Sequence, residues 1–261
     1  MPLCESTFSN LLLKQTSPVE KARLLSAASA HASDWLNALP VASLGLKMDN
    51  NTFRVALSLR LGAKLFQAHK CVCGLLVDPF GHHGLSCKNA KGTCSRHAHA
   101  NDIIKRSLAT AGVPSIVEPP GLSRGDGKRP DSLTLFPWSG GKSVVWDFTC
   151  RDTLAQSYVG ETSLEAGKAA EKAEDFKMDL YSNLIRDYTV VPVAGETLGA
   201  WGKQGLKFIQ EIGSRITMAT GKKNATYYLF QSLSMAIQRG NVASILGTSP
   251  KIEFLDEIYN L

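Results

Sequence analysis

The sequence predicts an α/β fold preceded by a helical region, and three observations carry that expectation. Short β-branched and aromatic runs at 115–118, 132–136, 143–150 and 189–196 alternate with longer helical patterns. Their order is helix, three strands, helix, strand, helix, as in chains whose helices cover a sheet. A segment rich in cysteine, histidine and glycine interrupts the periodic pattern ahead of the first of these helices. The chain therefore divides into 1–68, a helical region; 69–95, the cysteine-histidine segment; and 96–261, the α/β domain.

Residues 17–38 are rich in alanine and leucine, and Ser17-Pro18 with Glu20 reads as a helix start with proline in the first turn. Residues 51–66 read as a second helix whose apolar positions are mixed in phase. A helix over 96–112 ends at Gly112 and places Ile103, Ile104 and Leu108 on an apolar face. Three strands follow, the clearest being SVVWDFTC at 143–150, and Trp138-Ser139-Gly140-Gly141-Lys142 reads as the turn of a hairpin. A long polar helix over 162–186, a strand over 189–196, and helices over 203–219 and 224–246 complete the chain.

The 261 residues are 44% apolar and 20% charged, ordinary for a globular protein. No uncharged apolar run approaches the ~18 residues of a membrane span, and the N-terminus lacks the pattern of a secretory signal. A protein outside the membrane, in a reducing compartment, is the expectation. The net charge of +6 is uneven: residues 60–130 hold eleven Lys/Arg against four Asp/Glu, or +7, leaving −1 for the rest. Such a concentration is the footprint expected of phosphate-backbone contact.

Four of the six cysteines fall within two dozen residues, with histidines nearby, whereas Cys4 and Cys150 read as plain thiols. Zinc takes four tetrahedral sulfur and nitrogen ligands, two commonly from one tight turn and two from a nearby loop. Cys71-x-Cys73 with His83-x3-Cys87 meets that requirement. His82 competes with His83, and Cys94 with Cys87 at the cost of a looser loop. A site of this kind stabilises folding and does not imply zinc catalysis.

Asp147 lies inside an otherwise apolar strand, where a carboxylate is costly to bury unless paired or bound to a cation. Asp131 opens the preceding strand, and a hairpin between the two would bring both acids to one end, an oxygen-rich site of the kind Mg2+ prefers. Thr149 follows where a lysine would serve, so the helix lysines Lys168, Lys172 and Lys177 are the remaining source of a cation; Lys177 shares a face with Tyr181. The competing readings are a hairpin cap for Asp131 and a buried salt bridge, to Arg96 or Arg151, for Asp147.

Taken in order, Cys-x-Cys…His-x3-Cys, Arg96-His97 with Asn101-Asp102, Arg129-Pro130-Asp131 and Trp146-Asp147-Phe148-Thr149 resemble the restriction-like endonuclease module of non-LTR retrotransposons. The resemblance spans about residues 69 to 220. Asp34-Trp35-Leu36 and Leu59-Arg60-Leu61-Gly62 are similar to the region ahead of the knuckle in transposon-derived animal open reading frames. The resemblance implies a PD-(D/E)XK, restriction-endonuclease-like mixed sheet flanked by helices. It implies cleavage of DNA with Mg2+ or Mn2+ at Asp131 and Asp147, and Lys177 as the catalytic lysine within a Lys-x-x-Lys-Tyr pattern. Leu180 stands where the second lysine of that pattern belongs, a departure that leaves open a decayed, zinc-stabilised nucleic-acid-binding module. Arg96, His97 and Arg129 are the implied DNA contacts. A nuclear or nucleocytoplasmic location, a nick that primes reverse transcription, and RNA or a reverse transcriptase of the same element as partners follow as expectations.

Overall fold

The computed structural model describes residues 10, 12, 14, 17–90, 92–122, 127 and 129–249, so the reading of Cys4 lies outside the described residues. Helices α1 (Pro18–Ala28) and α2 (Asn50–Leu61) form the N-terminal part. A two-stranded ribbon of β1 (His69–Lys70) and β2 (Leu76–Val77) leads to α3 (His82–Ser86). Then come α4 (Gly92–Thr110), β3 (Ser115–Val117), β4 (Ser132–Thr134) and β5 (Val144–Arg151). The chain continues with α5 (Val159–Thr162), α6 (Lys168–Leu180), β6 (Thr189–Glu196), α7 (Lys203–Thr220) and α8 (Ala225–Leu246).

The fold is α/β with a mixed four-stranded sheet in the order β3-β4-β5-β6. β3–β4 and β4–β5 are antiparallel, and β5–β6 is parallel. The β4–β5 hairpin turns through Gly140 and Gly141, both at positive φ, the left-handed geometry of a two-residue turn. β5 is central, and Val144 to Phe148 are all buried, as expected of a strand covered on both faces. Trp146 and Phe148 point into a core shared with Ile104 and Leu108 of α4, Phe208 and Ile212 of α7, and Leu233 of α8. The alternation of a strand sends Asp147 to the other face, which α6 covers. Ala169, Ala170 and Ala173 are small enough for α6 to sit directly against Ala194 of β6.

A second core joins the N-terminal helices to α8: Ala22, Trp35, Val55 and Leu59 pack with Met235, Val242 and Ile245. Several element boundaries differ from expectation: the helix expected over 51–66 ends at Leu61, where Gly62 takes a φ of +67°, and two others differ for equally identifiable reasons. The first helix stops at Ala28, because His31 takes a positive φ and stacks its ring on Phe230, centroids 3.6 Å apart. The expected helix over 162–186 is broken at Gly167, whose φ of +88° starts α6 afresh and whose missing Cβ leaves room for the Trp201 carbonyl. Among the described residues no helix is long and apolar enough to cross a membrane.

Candidate active site and metal centre

Strand pairing explains why two acids meet. β4 and β5 are in register through Ser132 and Trp146, so Asp131 and Asp147 stand together one position past the last paired residues. There β4 leaves the sheet, and the Asp131 side chain takes over its bonding role: the Phe148 N–H donates to Asp131 Oδ2 at 2.6 Å. Asn101 Nδ2 also donates to that oxygen, at 2.9 Å, and His97 Nε2 lies 3.1 Å from it. These three contacts all use Oδ2, and no described residue bonds Oδ1. Asn101 is held in turn by the indole N–H of Trp146, which donates to its Oδ1 at 3.0 Å.

Asp147 is 4% exposed, and its carboxylate is met from α6 and from Tyr181, the residue that caps that helix. Lys177 Nζ is 2.8 Å from Oδ1, and the Tyr181 hydroxyl donates to Oδ2 at 2.6 Å. The two donors are one helical turn apart, the spacing that puts both on one face. Burial, reinforced by the negative charge of Asp131, raises the Asp147 carboxyl above its ordinary range despite the opposing pull of Lys177 and Tyr181. The His97 imidazole is raised as well, chiefly by its bond to Asp131. Two repelling carboxylates, one with an oxygen that no described residue bonds, are hard donors that could hold a divalent cation.

The sequence-predicted residues sort themselves clearly. Asp131, Asp147, Lys177 and His97 are brought together, whereas Lys168 pairs with Glu165 and Glu171, and Lys172 with Glu161. The alternative partners expected for Asp147 do not reach it: Arg96 is buried and donates to Asn241 Oδ1 at 2.6 Å. Arg129 lies at the surface, paired with Glu118. The hairpin-cap reading of Asp131 is met by its bond to Phe148, at the same time as it faces Asp147. Asn101 entered the sequence reading only as part of the Arg96-His97…Asn101-Asp102 motif, with no role assigned; the further signal was a polar side chain one turn after His97 on the face that carries Ile104 and Leu108. No protein-family model and no curated protein matches the chain.

The second constellation is Cys71, Cys73, His83 and Cys87, whose ligand atoms lie within 4.8 Å of one another. Cys71 comes from the β1–β2 turn, whose Gly74 adopts a φ of +92°, and His83 from α3. The sulfurs of Cys71 and Cys87 are 3.7 Å apart, and Cys73 Sγ is 3.2 Å from His83 Nε2. Zn–S bonds of about 2.3 Å at tetrahedral angles would set sulfurs about 3.8 Å apart. The cluster is therefore compatible with zinc. His82 stacks on Phe80 instead, centroids 5.4 Å apart. Burial pushes the Cys71 thiol up to about 11, while the backbone N–H of Leu75 first, and then neighbouring side chains, bring Cys73 down to about 7.

Proposed function

We propose that the chain is a metal-dependent DNA endonuclease that hydrolyses a phosphodiester bond at Asp131, Asp147 and Lys177, with Cys71, Cys73, His83 and Cys87 holding a structural zinc ion. The observation that carries the reading is the convergence of Lys177 and Tyr181 on a buried carboxylate beside Asp131. Hydrolysis requires an aligned water, relief of charge on the phosphoryl oxygens, and departure of the 3′ oxygen. Asp131 and Asp147 would hold Mg2+ or Mn2+, which would supply Lewis acidity at that phosphate.

The chain's own residues do the rest. Tyr181 fixes the Asp147 carboxylate, and Asn101 with the Phe148 N–H fixes that of Asp131. Lys177 places a positive charge where the attacked phosphate gains negative charge. The basic excess of residues 60–130 would hold the DNA backbone, Arg129 from the surface and His97 beside the acids. The zinc knuckle and the mixed sheet with helices on both faces agree with the restriction-like module expected from the motifs. A nuclear location, and a nick that primes reverse transcription, belong to the same reading.

An end-labelled duplex incubated with Mn2+ tests it. Cleavage is expected to leave a 3′ hydroxyl that a polymerase extends without further processing, and to vanish in Asp131→Ala. Cleavage that persists in Asp131→Ala, or no cleavage with Mg2+ or Mn2+ by a folded wild type, overturns the reading.

A further inference from the structure

Where β4 parts from β5, a cavity of about 180 Å3 opens between the start of α4 and the end of β5. Thr93, Arg96 and His97 line it from the helix, and Thr149, Cys150 and Arg151 from the strand. His97 also touches Asp131, so the cavity borders the carboxylate centre. Arg96 is 3% exposed, yet the partner of its guanidinium is the neutral Asn241. Arg151 Nε is buried without any hydrogen-bond acceptor. Neither arginine has a carboxylate within ion-pairing distance among the described residues.

Two acids lie in this neighbourhood, and neither forms an ion pair with the arginines. Asp152 accepts from the Leu154 N–H and from Thr197, and Glu196, in register with Arg151 across β5 and β6, accepts through Oε1 from the backbone of Ala169 and Ala170 while its Oε2 is buried without a hydrogen-bond partner among the described residues. Burial further pushes the Glu196 carboxyl up to about 7, which weakens it as a counter-charge. A buried guanidinium without a counter-ion is costly, and its planar fork matches a phosphate.

We propose that this cavity seats a second phosphodiester group of the DNA, neighbouring the one hydrolysed at the carboxylates, with Arg151 as its charge partner beside Arg96, a DNA contact that the motif resemblance already implied. The proposal rests on the nuclease reading for its substrate, but its binding test does not require cleavage. DNA affinity measured between 50 and 200 mM salt, without a divalent metal, is expected to show a log–log slope shallower by about 1 in Arg151→Gln than in wild type. Arg151→Lys is expected to restore the slope. In wild type, a scan of single neutral methylphosphonate linkages is expected to find one position, next to the cut, that weakens binding, and Arg151→Gln to be insensitive there.

An unchanged slope in Arg151→Gln, or a flat methylphosphonate scan of the wild type, overturns the proposal; the second measurement stands even if the variant does not fold. A shallower slope and a single sensitive linkage, in a protein that cleaves nothing, would uphold the phosphate seat and reject the nuclease.

Discussion

Asp147 concentrates the chemistry of the molecule in one side chain. Its carboxyl is raised, so between the ordinary value of 3.8 and its folded value the native state binds the extra proton. The contribution of this group to stability therefore falls as pH rises through that window. Replacing the carboxylate by its neutral isostere removes the repulsion from Asp131 and the desolvation of a charge, so Asp147→Asn is expected to raise the melting temperature at neutral pH. Removing its counter-charge has the opposite sign: Lys177→Ala leaves a buried carboxylate unpaired and is expected to lower the melting temperature. Thermal scans of the two variants side by side check both directions, and a shared direction would contradict the assignment. His97 provides a second test. Its imidazole is raised above 6.5 by Asp131, so the stabilisation from that pair is complete below 6.5 and is lost as pH rises through the folded value. The ring resonances of His97 are expected to titrate above 6.5 in wild type and to move down in Asp131→Asn.

Helix ends in this fold are held by carboxylates from neighbouring elements. Glu196 at the end of β6 accepts from the first backbone N–H groups of α6, and Glu174 of α6 accepts from Gln204 N and Gly205 N at the start of α7, at 3.0 and 2.8 Å. Glu174 is 2% exposed, and a Cβ on Gly202 would lie 2.3 Å from its carboxyl group. Glu174→Ala is thus expected to cost about 2 kcal/mol by leaving one buried and one half-buried donor unpaired, measurable by urea unfolding. Strand positions were legible because β5 and β6 are buried apolar runs, and the hairpin turn because two adjacent glycines supply its positive φ. Helix limits were less legible: tertiary contacts at His31 and Gly167 end or restart helices where local propensity would continue them. The cysteine-histidine cluster was readable from spacing, but the preference for His83 over His82 rests on which ring α3 turns toward Cys73. Chelation of the metal-loaded protein is expected to release one zinc ion per chain and lower its melting temperature, with Cys87→Ser showing the same loss without chelator.

At the scale of the whole chain, the N-terminal helices and the sheet domain share α8, which presents Leu233 to one core and Met235, Val242 and Ile245 to the other. The sequence of residues 225–246 carries one local sign of that double burial, since its apolar residues run all round the helix, the pattern of a buried helix, but not which elements cover it. Expression of residues 69–261 alone is expected to yield an unstable or aggregating protein, because it would bare the Met235, Val242 and Ile245 face. Asp131 and Asp147 were legible as candidates because each is a charged residue at a strand position, and Lys177 through its spacing to Tyr181. Asn101 and Arg151 were not, since their roles depend on where α4 crosses the sheet edge. Nicking of supercoiled plasmid tests the central claim most directly. Wild type with Mg2+ or Mn2+ is expected to convert supercoiled DNA to the open circle, and folded Asp147→Asn and Lys177→Ala to lose that conversion by orders of magnitude. Equal nicking by wild type and both variants, or none by a folded wild type with either metal, would contradict the account.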